Sequence, residues 1–234
     1  VPAHPSGPLN DTPRPAPDDA ELQRTVLAAT LVAALLRLPT LGLQSLWIDE
    51  QFTLVAAGLP GRIPWRDLLE NVHGPLHTLA VAVAASLGGN SEWVLRLPGA
   101  LAGIALVPAL AALARRWSGR ETATAAAWLA AGSPFLIYYA QECRNYSFLM
   151  LFSVIATSAL LDLQRRCDAG GVLRYLLAAA AAALSNFSFL LLAPFHLLLW
   201  LRGGPTRRAR VVSLGVVVGL MALALLPWLP AARE

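Results

Sequence analysis

Three short polar stretches and a lone arginine interrupt an otherwise apolar chain. Trp47-Ile48-Asp49-Glu50 sets two adjacent carboxylates at the end of an apolar run. Such groups are costly at a membrane boundary. One could serve as general base on an acceptor hydroxyl, the other could bind sugar hydroxyls or a metal. His73-Gly74-Pro75-Leu76-His77 carries two imidazoles four residues apart, with Pro75 suited to the first turn of a helix. Gln141-Glu142-Cys143-Arg144-Asn145-Tyr146 directly follows the apolar run 123–140. There Arg144 offers a planar fork for a phosphate, and Glu142 could hold Arg144 or a sugar. Arg96, at the start of a further apolar run, could reach a phosphate or the interface. Each stretch also has a plain structural explanation: a solvated loop start, an anchored surface helix, an interhelical turn.

The elements that must position these residues are apolar. Of 234 residues 56% are hydrophobic, and the mean hydropathy is +0.57. That leaves too little polar surface for a water-soluble domain. The 18 basic residues are all Arg, which with abundant Ala and Gly suggests a GC-rich bacterial genome. They gather in short clusters between apolar runs. This is the pattern of membrane orientation, not of a nucleic-acid-binding patch. Residues 1–22 read as a disordered tail without a cleavable leader, and residues 23–234 as one membrane module. The start at Val1 and the end just after an apolar run suggest part of a longer protein, truncated at the C-terminus.

Apolar runs near 24–43, 95–114, 122–140, 147–163, 172–186, 187–201 and 211–229 predict an all-α, polytopic bundle of about seven spans. The 172–201 region is read as a hairpin turning at Ser185-Asn186-Phe187-Ser188. That choice puts the clusters Arg115/Arg116/Arg120, Arg165/Arg166/Arg174 and Arg202/Arg207/Arg208/Arg210 on one side, the cytoplasmic one. The stretch 75–87 is short for a span and is read as an interfacial helix in the first outer loop. The loop 44–94 and the turns at 140–146 and 185–188 then share the outer face. Arg37 is expected to snorkel to the interface, and His196 to be structural. Cys143 and Cys167 fall on opposite faces, so no disulfide is expected.

In this order the stretches resemble the type C glycosyltransferase superfamily. The resemblance is to its bacterial branch, related to dolichyl-phosphate-mannose protein mannosyltransferases and lipid A aminoarabinose transferases. It rests on Trp47-Ile48-Asp49-Glu50, His73-Gly74-Pro75-Leu76, Leu95-Arg96-Leu97-Pro98-Gly99-Ala100 and Glu142-Cys143-Arg144-Asn145-Tyr146, and covers about Leu43 to Leu161. It implies a polyprenyl-phosphate-linked sugar donor, with Asp49 activating the acceptor. The chain departs from the protein mannosyltransferases in having no acid after Tyr146, which is followed by Ser147-Phe148-Leu149-Met150, and related chains often carry His where this one has Asn186. The first departure argues against mannose transfer to protein.

The reading is therefore a multi-pass glycosyltransferase of the bacterial cytoplasmic membrane with its active site outside. Asp49 is the catalytic base. Glu50, His73, Arg96, Gln141, Glu142, Arg144 and Tyr146 are expected at the substrates. The acceptor is a lipid, glycan or protein. No cofactor is required, although Asp49, Glu50 and His73 could hold a divalent metal. The alternative is a transporter or flippase of lipid-linked substrates, which would place its ionisable residues in mid-span pairs.

Overall fold

The computed structural model describes residues 17–58, 74–165 and 168–202. These form nine α-helices and one 3-10 helix, and no strand is found among the described residues. The helices are α1 (Pro17–Arg37), α2 (Ile48–Ala56), α3 (Pro75–Gly88), α4 (Glu92–Ser118) and α5 (Arg120–Gly132). After them come α6 (Pro134–Ala140), α7 (Tyr146–Arg165), α8 (Ala169–Ser185), the 3-10 helix Phe187–Leu192 and α9 (Ala193–Arg202). Two of them, α4 with 27 residues and α7 with 20, are long and apolar enough to cross a bilayer unaided. Seven spans are not seen: the expected run at 211–229 lies outside the described residues. Helix α1 already begins at Pro17, inside the stretch expected as a tail, and stops at Arg37.

The run expected as one span over 122–140 is two helices. Pro134 has no N–H, so the Ala130 carbonyl loses its helical donor four residues on. Ser133 caps α6, its hydroxyl accepting from the Leu136 N–H at 3.4 Å. The orphaned carbonyls are met from a distant helix. Arg37 Nη2 donates to Ala130 O at 2.9 Å, and Nη1 donates to Ala131 O at 3.0 Å and Ala33 O at 3.2 Å. Arg37 is fully buried and does not snorkel. Proline's missing donor explains why an arginine sits there.

Small residues bring the helices close. Ala29 and Ala33 of α1 pack with Val107 and Ala111 of α4 and Ala127 of α5. A Cβ on Gly103 of α4 would lie 2.5 Å from Ala140 Cβ, and one on Gly99 would lie 2.9 Å from Glu142 O. This Gly99-x-x-x-Gly103 pair seats the 140–142 segment directly on α4. A second core joins α7, α8 and α9 through Leu160, Tyr175, Phe189 and Trp200. Within it the chain reverses at Asn186 as expected, because His196 of α9 lies beside Tyr175 of α8. Thr157 Oγ1 donates to Ser153 O at 2.8 Å, so it accepts from His196 Nε2 at 3.0 Å, leaving Nδ1 to accept from Tyr175 Oη at 3.1 Å. Both ring nitrogens are thus engaged in a structural clasp.

Two ends are distinct. At one, Asp19 meets Arg115, Glu21 meets Arg120, Asp162 meets Arg116, and Arg165 donates to the Arg116 carbonyl. At the other lie the 38–47 loop, α2 and the turns 141–145 and 185–187. Helix α3 touches this loop end twice. Gly74 abuts the Leu184 carbonyl at the end of α8, and Gly88 abuts Val94 at the start of α4.

Any Cβ at Gly74 would collide with Leu184 O, whereas nothing lies within 4 Å of a Cβ on Gly132. Gly74→Ala should therefore cost about 1–3 kcal/mol of stability, and Gly132→Ala should cost nothing measurable. Thermal unfolding of the two variants in detergent or bilayers checks this.

Candidate active site at the loop end

Asp49, Glu50, Arg96, Gln141, Glu142, Arg144 and Tyr146 come together at the loop end, although nearly a hundred residues separate the first from the last. His73 lies outside the described residues. Trp47 precedes α2, and Glu50, at its third position, reaches back to accept the Trp47 N–H at 3.2 Å. This turn points the two adjacent carboxylates in different directions, about 100° apart on the helix.

Glu50 turns inward and is fully buried. Arg96 Nε donates to its Oε1 at 2.8 Å and Nη2 to its Oε2 at 2.7 Å, and the Cys143 N–H adds a third bond to Oε1 at 2.7 Å. Burial would raise the Glu50 carboxyl pKa, but these bonds and the Arg96 charge outweigh it and hold the group below its usual range. The remaining Arg96 donors go to the Leu41 and Gln44 carbonyls, each at 2.8 Å, and to the Ser45 carbonyl at 3.2 Å. All five guanidinium N–H groups are thereby used. Glu50 and Arg96 were expected at the substrates. In the structure they bind each other and fix the loop, and burial leaves their oxygens and donors engaged.

Gln141, also expected at the substrates, is likewise held within the fold. Its amide donates to the Leu36 carbonyl at 3.1 Å and the Arg37 carbonyl at 3.2 Å, closing the end of α1. Glu142 is buried beside the Tyr138 hydroxyl. Burial first, and then repulsion from Glu50, raise its carboxyl pKa against the pull of the Tyr138 hydrogen bond and Arg144. Burial also pushes the free Cys143 thiol up to about 12, which makes it inert.

Asp49 differs from its neighbour. It is partly exposed, and its carboxylate has no hydrogen-bond or ion-pair partner among the described residues. Arg144 Nη1 donates to the Asp49 backbone carbonyl at 2.8 Å, and its guanidinium carbon stands 5.7 Å from the Tyr146 ring centroid. Tyr146 thus shelves Arg144 beside Asp49. Around them Phe135, Tyr138 and Tyr139 complete an aromatic wall, with Tyr139 4.8 Å from Tyr146 centroid to centroid. The sequence reading missed this wall, although Tyr138-Tyr139 immediately precedes the polar turn. It also missed Asn145, whose amide donates to Ser185 O at 2.8 Å and latches this turn to the next.

His77, the second imidazole of its stretch, is buried against Phe148 of α7, the ring centroids 5.3 Å apart. Among the described residues no three His, Cys, Asp or Glu side chains are grouped to hold a metal. In the Asp49, Glu50 and His73 set, both Glu50 oxygens already accept N–H donors. On the flank of the bundle α3, α4 and α7 border an open cavity of about 860 Å3. It is lined almost wholly by apolar side chains, from Leu76 and Trp93 at the loop end to Ala105 and Phe152 deeper in.

The described residues thus form an apolar helical bundle that carries at its loop end a carboxylate beside a guanidinium. Residues 72–231 match the dolichyl-phosphate-mannose-protein mannosyltransferase family, and the chain belongs to it. Members are membrane glycosyltransferases that use lipid-phosphate sugar donors. The match begins later than the resemblance from Leu43 and runs beyond Leu161, so Asp49 and Glu50 precede it. No curated protein and no solved structure is matched.

Arg96→Met strips the buried Glu50 of its counter-ion and should cost about 3–5 kcal/mol. Arg96→Lys should rescue little, since an ammonium offers three donors where five are used. In the wild type the lowered Glu50 pKa gives stability that is complete above its unfolded value and is lost as pH falls through the folded value. Acid unfolding curves of Arg96→Met should lack that step.

Proposed function

We propose that this chain transfers a sugar from a polyprenyl phosphate to an acceptor hydroxyl at the outer face of a bacterial cytoplasmic membrane. The observation that carries the proposal is the contrast between two adjacent acids. Glu50 is buried and taken up by Arg96 and the Cys143 and Trp47 N–H groups, while the Asp49 carboxylate has no partner among the described residues and lies beside Arg144. Asp49 takes the proton of the acceptor hydroxyl as its oxygen attacks the anomeric carbon. The bond from that carbon to the lipid phosphate breaks, and Arg144 neutralises the departing negative charge. The aromatic wall of Phe135, Tyr138 and Tyr139 gives the sugar ring an apolar face, and Glu142 with Tyr138 offers it polar contacts.

The apolar cavity suits the prenyl chain, because it starts at the level of the site and descends along α4 and α7. Helix α3, touching the bundle's loop end at both of its own ends, acts as the interfacial helix. The arginine end faces the cytoplasm, in keeping with the excess of basic residues there. A monophosphate leaving group asks for one cation, which Arg144 supplies, so no metal is required. The flippase alternative calls for ionisable pairs in mid-span, whereas the buried Glu50–Arg96 pair lies at the loop end. Arg37 holds backbone carbonyls and His196 a threonine–tyrosine pair, and neither faces a carboxylate.

The test is transfer by the full chain in membranes, offered a panel of polyprenyl-phosphate sugars. Asp49→Asn should abolish turnover while leaving the folded yield unchanged. Arg144→Gln should lower kcat about a hundred- to a thousandfold. Chelation by EDTA should leave the wild-type rate unchanged. Full turnover by Asp49→Asn would remove it as the base.

A further inference from the structure

A second cavity lies at the arginine end, between α4, α7 and α8, with a volume of about 500 Å3. Its wall is apolar: Ala109 and Ala112 of α4, Phe152 and Ile155 of α7, Leu177 and Ala178 of α8. Its polar lining includes Arg116, Asp162 and Arg174. Ile155 and Leu177 are themselves exposed, so the cavity opens on the flank of the bundle, where lipid would lie.

The rim charges are not equivalent. Arg116 is spent on Asp162, with Nε to Oδ1 at 3.0 Å and Nη2 to Oδ2 at 3.2 Å. Its backbone carbonyl is held in turn by Arg165. Arg174 is exposed and has no hydrogen bond or ion pair among the described residues. Among the described residues the rim therefore carries one unneutralised cation above an apolar pit, and its carboxylate is already occupied.

We propose that this cavity binds an anionic phospholipid of the leaflet at the arginine end. An acyl chain covers Phe152, Ile155 and Leu177, and the phosphate meets Arg174. A soluble anion would have no use for the apolar wall. A zwitterionic lipid would bring an ammonium for which the rim has no free acid. The site uses none of the transfer residues, and Phe152, which lines both cavities, separates it from the larger one.

The experiment is native mass spectrometry of the full chain, released from bilayers holding equal amounts of phosphatidylglycerol and phosphatidylcholine. The wild type should retain phosphatidylglycerol about fivefold over phosphatidylcholine, the contribution of one surface cation. Arg174→Gln should bring the two to parity. Arg202→Gln, at the same end but outside the cavity lining, should not. Ala112→Phe, at an exposed position of the wall, should reduce retention of both lipids. Parity in the wild type or undiminished preference in Arg174→Gln would overturn the proposal. So would displacement by soluble glycerophosphoglycerol, or a cavity that retains no lipid because residues 203–234 fill it.

Discussion

Taking a carboxylate and a guanidinium out of water costs several kcal/mol per ion, and that is recovered only when every remaining donor and acceptor is also met. Glu50 and Arg96 satisfy this condition. Between them they join α2, α4, the loop after α1 and the turn after α6, four pieces of chain with no common secondary structure. Everything chemical at the loop end hangs from this joint. With Glu50 turned inward at the third position of α2, Asp49 at the second must point elsewhere. With the Cys143 N–H fixed on Glu50, Arg144 is delivered to the Asp49 carbonyl. The pair is thus a positioning device, and the free carboxylate beside it is a consequence.

Such a joint needs close backbone approach, which the sequence supplies with small residues. Gly99 and Gly103 let the 140–142 segment sit on α4, and Gly74 lets the start of α3 meet the end of α8. The Ser133–Pro134 break turns the chain ahead of the polar turn, and the carbonyls freed by it are taken by Arg37. A proline in one helix and an arginine in another, 97 positions apart, are a single structural unit. The Asn145 amide on Ser185 O then ties the second turn to the first.

Much of this was legible in the sequence. Hydropathy reported an all-helical membrane protein, arginine spacing separated two ends, and the reversal near Asn186 followed from the length of the apolar run together with charge. The polar stretches were found because polar residues are conspicuous in apolar surroundings. Their division of labour was not legible. Asp49 and Glu50 are neighbours of one chemical type, and only the partner 46 residues away from Glu50 tells them apart. For the same reason Arg37 read as a snorkelling residue, since its carbonyl partners lie 93 and 94 positions on. The apolar run 122–140 hid a helix break because hydropathy does not register a missing N–H. Family membership came from 72–231, and the part played by Asp49 rests on geometry outside that match.

The claim on which the account turns is that two adjacent acids do different work, one holding the fold and the other free. Thermal unfolding of Asp49→Asn and Glu50→Gln, measured side by side on the full chain, separates them most directly. Asp49→Asn should unfold within a degree or two of the wild type, because among the described residues its carboxylate has no partner and its first-turn place in α2 contributes only about 0.3–1 kcal/mol. Glu50→Gln should unfold well below it, having lost about 3 kcal/mol or more with its charge. Equal midpoints, or a lower one for Asp49→Asn, would contradict the assignment of both residues.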